Sequence, residues 1–107
     1  ELGVKFSEIL TRDGVSYRIP EGESLVDLQQ RSWNYIQRIN RKHVGSELIV
    51  ISHYFTVLTI ICSALMLPLT HITRFRLSTG CINILNLDEK EARLELFNDT
   101  GYLAKFP

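Results

Sequence analysis

Apolar positions recur along this chain in three rhythms, and each change of rhythm marks a change of element. After the break Pro20-Glu21-Gly22-Glu23, the residues Leu25, Leu28, Ser32, Tyr35, Ile36 and Ile39 return at helical spacing, while Asp27, Gln30, Arg31, Asn34, Gln37, Arg38 and Arg41 take the other faces. Ser24 is placed to accept the first unpaired backbone N–H groups, and Asp27 three residues on completes a capping-box pair. The spacing predicts a helix from Ser24 to Lys42-His43, with basic residues at its negative end and Gly45 beyond it.

Between Glu47 and Ser52 the rhythm becomes the continuous run Leu48-Ile49-Val50-Ile51, the pattern of a short strand covered on both faces, which points to a parallel or mixed sheet in an α/β protein. The run from Phe55 to Leu67 is too long for a buried strand and carries Ala, Leu and Met in its second half; it predicts a helix ended by Pro68. A second short helix or turn covers Thr70 to Arg74. Arg76 to Leu87 predicts a strand that bends near Gly80, Asp88 to Glu91 is a polar connection, and Arg93-Leu94-Glu95-Leu96 alternates as a half-exposed strand does, so a β-hairpin closes the chain. Residues 1–22 form a loop-rich lead-in with one helical turn near Ser7 to Thr11, and residues 23–107 run helix, strand, helix, hairpin, without internal repeats. Residues 1–107 are read as one portion of a single domain, and the start at Glu1-Leu2-Gly3 rather than Met suggests a piece of a longer chain.

Composition narrows the function classes. With 107 residues, 45% hydrophobic and 22% charged, the chain is neither disordered nor collagenous nor a coiled coil. Twelve Lys+Arg balance 12 Asp+Glu, so no net charge is available to neutralise a run of phosphates, and nucleic acid is not expected as a partner. Cys62 and Cys81 lack the paired spacing of a zinc site and are too few for a disulfide framework, which fits a reducing, cytoplasmic setting and no metal. Between Glu47 and Arg74 there is no Asp, Glu, Lys or Arg, and about 20 apolar residues suffice to cross a bilayer. Ser52-His53, Thr56, Thr59, Ser63 and Pro68 interrupt that stretch, so a buried strand followed by a buried helix explains it better than a membrane span.

The junction Ile51-Ser52-His53-Tyr54 is the most informative place for chemistry. In open α/β sheets, ligands sit beyond the carboxyl ends of strands, where a following helix offers unpaired N–H groups and partial positive charge. His53 stands there with Tyr54 and Phe55 behind it. Two readings remain open from spacing alone: an imidazole that binds an anion as a charged donor, or one tied to backbone carbonyls between strand and helix.

The succession Pro20-Glu21-Gly22-Glu23-Ser24-Leu25 with Asp27 and Arg31, then Ile49-Val50-Ile51-Ser52-His53, then Leu77 to Leu87 and Asn98-Asp99-Thr100-Gly101-Tyr102-Leu103, resembles the carboxyl-terminal half of the histidine phosphatase superfamily, the phosphoglycerate-mutase-like proteins. The order and spacing match across nearly the whole chain from Pro20 onward. The resemblance implies a three-layer α/β/α sandwich with a mixed, mostly parallel sheet and the closing hairpin. It also implies a phosphate pocket in which the nucleophilic histidine of an Arg-His-Gly motif attacks phosphorus to give a phosphohistidine, a carboxylic acid protonates the leaving oxygen, and water or another hydroxyl accepts the phosphoryl group. His53 matches the second pocket histidine, a binder of phosphate and stabiliser of transition-state charge. The substrate implied is a small phosphomonoester, with hydrolysis preferred over mutase chemistry, and neither metal nor organic cofactor is implied.

Several positions depart from that pattern. No Arg-His-Gly occurs in these 107 residues, so the resemblance implies a missing amino-terminal half or second chain, and the isolated chain is expected to be a poor catalyst. His43 and His71 follow no arginine at a strand end and read as surface histidines. The residue after the second histidine is usually glycine in the family, and here it is Tyr54, which would narrow the pocket or wall it for a particular substrate together with Phe55. Among Glu1, Glu8, Glu21 and Glu23 none is assigned as the acid. Glu23 reads as structural support, held by helix N–H groups and by Arg31. Arg18 is a candidate cation in a substrate loop. A non-catalytic phosphate-binding or homodimerising module that retains the fold is the alternative function.

Overall fold

The computed structural model describes residues 22–105. Helix α1 spans Leu25–Lys42, and its start is fixed by both halves of the capping box. The Asp27 backbone N–H donates to Ser24 Oγ at 3.0 Å, and the Ser24 backbone N–H donates to Asp27 Oδ2 at 3.1 Å, so two N–H groups that the helix cannot pair internally are satisfied. Leu25, Ser32 and Ile36 are buried along one face, which packs on the second helix. Tyr35 lies at the edge of that stripe. It is half exposed, and the Arg38 guanidinium stands 5.7 Å from its ring centroid, so it is a surface cation–π partner rather than the core position expected.

Helix α2 spans Tyr54–Ala64 and is apolar nearly all round, as a helix buried on most sides must be. Leu58, Cys62, Leu69 and Ile72 join Leu25 in the core, with Phe55, Leu67, Phe75, Leu77 and Phe97 packed against them. Thr59 is fully buried, and its hydroxyl is satisfied by donating to the Thr56 carbonyl at 2.8 Å. The helix stops at Ala64, three residues short of the expected Leu67. Met66 adopts φ 58°, the Leu67 N–H donates to Cys62 O at 2.9 Å, and the Met66 N–H donates to Ser63 O at 3.2 Å. That pair of bonds is a Schellman stop, with methionine in the left-handed position that glycine usually fills. A 3-10 segment, Leu69–Arg74, follows Pro68 and places Leu69 and Ile72 in the core.

Strands β1, Ile82–Leu87, and β2, Ala92–Asp99, form the expected antiparallel hairpin, but β1 begins at Ile82 rather than at the expected Arg76, because residues 76–81 find no ladder partner among the described residues and turn at Gly80. The register runs from Leu87 opposite Ala92 to Ile84 opposite Leu96 and Ile82 opposite Asp99, so β2 carries two extra residues and bulges twice. Asn98 sits at the outer bulge with φ 54°. Its backbone N–H donates to Asn83 Oδ1 and its own Oδ1 accepts the Ser78 N–H, both at 2.8 Å. A 3-10 turn, Gly101–Lys105, closes back on the hairpin, where the Tyr102 hydroxyl donates to the Gly80 carbonyl.

The strand expected over 47–52 does not form. No ladder includes those residues, and Ile49 and Ile51 are 93% and 94% exposed. A β-branched run supplies side chains that suit a sheet, but a strand also needs a neighbour to accept and donate its backbone hydrogen bonds, and no described residue does so. The described architecture is therefore mixed α/β: two packed helices and a two-stranded antiparallel sheet, with no parallel pairing among the described residues. The lead-in, with the helical turn expected at Ser7 to Thr11, lies outside the described residues save for Gly22. Among the described residues no helix is long and apolar enough to cross a membrane.

Candidate functional site

His53 is the N-cap of α2, with extended backbone (φ −116°, ψ 165°). Its carbonyl accepts the first intrahelical bond, from the Val57 N–H at 2.9 Å, while its imidazole makes no capping bond to the helix. The ring is exposed, so of the two roles open from spacing, the tie to nearby carbonyls is not made among the described residues. The first turn of α2 contains no acidic residue. Its Tyr54 and Thr56 N–H groups lack intrahelical acceptors, so the positive end of the helix dipole lies beside His53.

Tyr54 follows His53 as the first residue of α2. Its ring meets Phe55 edge to face, with centroids 5.0 Å apart, and its hydroxyl donates to the Phe75 carbonyl at 3.4 Å. Phe75 in turn packs edge to face on Phe97 of β2 at 5.8 Å. The aromatic side chains thus tie the start of α2 to the segment that leads into β1.

His53 and Tyr54 open into a cleft of about 1210 Å³, walled on one side by residues 45–54 and on the other by residues 77–87. Phe55 turns inward and packs against the core. Glu23 and Arg31 are not part of the cleft wall. They form a bidentate pair at the start of α1, with Arg31 Nη2 donating to Glu23 Oε1 at 2.7 Å and Nε to Oε2 at 3.2 Å. The carboxylate raises the Arg31 pKa through that hydrogen bond and through charge. Of the other histidines, His43 ends α1 and lines the cleft, whereas His71 lies on the 3-10 segment with Arg74 Nη1 3.5 Å from its Nδ1. Arg74 and Arg76 are exposed. Arg18, Glu1, Glu8 and Glu21 lie outside the described residues. Cys62 is fully buried, and burial raises its thiol pKa, which keeps it protonated and unreactive.

The second wall of the cleft went unread in the sequence. Leu77 to Leu87 shows its strand character by alternation, but nothing in it marks that one edge faces His53 across open space. Among the described residues no group of three or more His, Cys, Asp or Glu is placed to hold a metal ion.

A search among curated proteins finds no match to the chain. The sequence model of the histidine phosphatase superfamily, branch 1, matches residues 5–100, which includes both helices, the His53 junction and the hairpin. With that span matched and a histidine standing at the head of α2, this chain belongs to the histidine phosphatase superfamily.

Proposed function

We propose that this chain supplies one half of a phosphate pocket in a phosphoryl-transfer protein that acts on a small phosphomonoester through a phosphohistidine. The observation that carries this reading is the position of His53: an exposed imidazole, without a capping bond, at the positive end of α2 in a chain of this family. As an imidazolium it donates an N–H to a phosphate oxygen, and the N–H groups of the first helical turn add to the positive field there. In the transition state, charge spreads over the equatorial oxygens, which is where a fixed donor stabilises most.

These 107 residues contain no Arg-His-Gly, so the nucleophile and its companion arginine come from a polypeptide segment beyond them. That imidazole attacks phosphorus, the leaving oxygen takes a proton from a carboxylic acid, and water then attacks the phosphohistidine to release phosphate, with hydrolysis preferred to transfer onto a second substrate hydroxyl. Tyr54, whose hydroxyl bonds the Phe75 carbonyl and whose ring meets Phe55, restricts the substrate's leaving group by bulk and offers an aromatic face to it on this reading. The Glu23–Arg31 pair supports the start of α1. The whole domain, on this reading, is a three-layer α/β/α sandwich in the cytoplasm, of which residues 1–107 form one portion.

Binding of inorganic phosphate to the 107-residue chain, followed by 31P NMR, tests the role of His53. His53→Ala is expected to weaken it about tenfold, the loss of one charge-assisted hydrogen bond. Equal binding by both proteins overturns the assignment. Turnover of p-nitrophenyl phosphate by the verified chain alone, abolished in His53→Ala, would overturn the placement of the nucleophile elsewhere.

A further inference from the structure

Within the slot between residues 47–53 and β1 the walls are aliphatic, with Ile49, Ile51, Ile82 and Ile84 left in solvent. On the three-layer reading the rest of the sheet fills that slot, so a substrate meets His53 at the slot's end rather than along its length. The hydrogen bond from the Tyr54 hydroxyl to the Phe75 carbonyl fixes which part of the opposite wall lies at that end. Phe75 stands ahead of β1, so the lead-in to the strand, and not its far end at Leu87, lies beside the head of α2.

In that lead-in the chain makes a tight turn, Ser78-Thr79-Gly80-Cys81, closed by the Cys81 N–H donating to the Ser78 carbonyl at 3.2 Å. Gly80 has φ 75° while Thr79 keeps a negative φ, the signs of a type II turn with glycine in third place. Side chains from β2 and beyond hold the turn in shape. Asn98 Oδ1 accepts the Ser78 N–H at 2.8 Å, and the Tyr102 hydroxyl donates to the Gly80 carbonyl. Asn98 is fixed in turn by its own N–H, which donates to Asn83 Oδ1. A surface turn tied at both ends is organised before a ligand arrives. It leaves unpaired the Ser78 and Thr79 hydroxyls and the Thr79 and Gly80 N–H groups. All three residues are exposed and line the same cleft as His53, and those groups find no hydrogen-bond partner among the described residues.

We infer that this turn, with Thr79 at its corner, recognises the leaving group of the phosphomonoester, and that the leaving group it selects carries a hydroxyl of its own beside the ester oxygen. The inference rests on the phosphate role proposed for His53 and extends it: the imidazolium holds the phosphoryl group, and the turn reads what is attached to it. A hydroxyl both gives and takes a hydrogen bond, and the turn offers both, N–H groups as donors and hydroxyl oxygens as acceptors. A bare alkyl group in the same place strips water from those groups and returns no bond, and that loss is the source of the discrimination.

Binding of glycerol 1-phosphate and of ethyl phosphate to the full 107-residue chain, followed by 31P NMR beside inorganic phosphate, separates the turn from His53. Glycerol 1-phosphate is expected to bind about tenfold more tightly than ethyl phosphate, which lacks the extra hydroxyls. Thr79→Val keeps the shape of the side chain without its hydroxyl and is expected to cut that advantage to about threefold or less, whereas Thr79→Ser restores it. His53→Ala is expected to weaken all three ligands. Equal binding of the two esters, or a preference that survives in a Ser78→Ala, Thr79→Val double variant, overturns the inference while the loss of inorganic phosphate in His53→Ala leaves the histidine's role standing. Phosphate binding indifferent to His53→Ala overturns both.

Discussion

Replacing Met66 by glycine is expected to stabilise this protein, although it deletes a whole side chain from a helix terminus. Met66 holds the left-handed position of the Schellman stop at φ 58°, where an L-residue costs roughly 1–2 kcal/mol relative to glycine. The side chain is 90% exposed, so its removal forfeits about a tenth of the roughly 1.5–3 kcal/mol that full burial is worth, or about 0.2 kcal/mol. Glycine loosens the unfolded chain, which costs the native state about 0.4–1 kcal/mol. The balance is a gain of about 0.6 kcal/mol. At a urea m-value of about 1.5 kcal/mol/M that moves the midpoint upward by about 0.4 M, followed by the fluorescence of Trp33, the sole tryptophan, at fixed protein concentration. Met66→Ala keeps the backbone penalty and is expected to change the midpoint little. Gly45→Ala inverts the experiment: φ is 80° and nothing lies within 4 Å of the added Cβ, so a loss of about 0.8 kcal/mol from backbone alone is expected. A midpoint that falls in Met66→Gly while Met66→Ala leaves it unchanged refutes the reasoning.

Two further outcomes follow from the helix start and the buried thiol. Ser24→Ala removes the acceptor of the Asp27 N–H and is expected to cost about 1 kcal/mol by urea unfolding, with Ser24→Asp recovering most of it. Burial raises the Cys62 pKa, so in the native state the thiol stays protonated after its unfolded counterpart, near 8.5, has ionised. Below that pH there is no difference between the states in bound protons at this site. Above it the unfolded state binds fewer, and stability falls as pH rises. Urea midpoints measured from pH 7 to 10 are expected to decline more steeply in the parent than in Cys62→Ala; equal slopes would show that the thiol does not contribute.

The parts of the fold that were legible in sequence are those whose determinants are local. Ser24 and Asp27 announce α1 because a cap is a contact between residues three apart, and the β1–β2 hairpin is announced by alternation on either side of a four-residue polar connection. The stop of α2 is hidden for an equally local reason: the left-handed position holds methionine, which carries no signal, while Pro68 does, so the pattern points to a boundary at the proline. Tyr35 was misplaced because periodicity gives a direction around the helix but not whether a neighbouring element reaches that far. The run Leu48 to Ile51 was read correctly as apolar and β-branched, yet strand formation is a property of two segments, and the neighbour lies in no residue nearby in sequence. At the site, His53 was legible from its place between an apolar run and a helix. The cleft opposite it was not, because it is created by the distance between two segments some 30 residues apart along the chain.

The contact between Tyr102 and Gly80 brackets the hairpin at its open end, and it depends on how the two strands count against each other. β2 contains two residues more than its partner requires, so the alignment of the strands fixes where Tyr102 falls. Slippage by one residue carries Tyr102 along the strand by about 3.3 Å, farther than a hydrogen bond tolerates. It also turns the apolar side of β2, with Phe97, away from Phe75 and toward water. The phenol therefore reaches the Gly80 carbonyl in one alignment only. The clasp acts as a checksum on folding: it contributes little to holding the hairpin together, and reports by closing that both bulges were laid down in the right places.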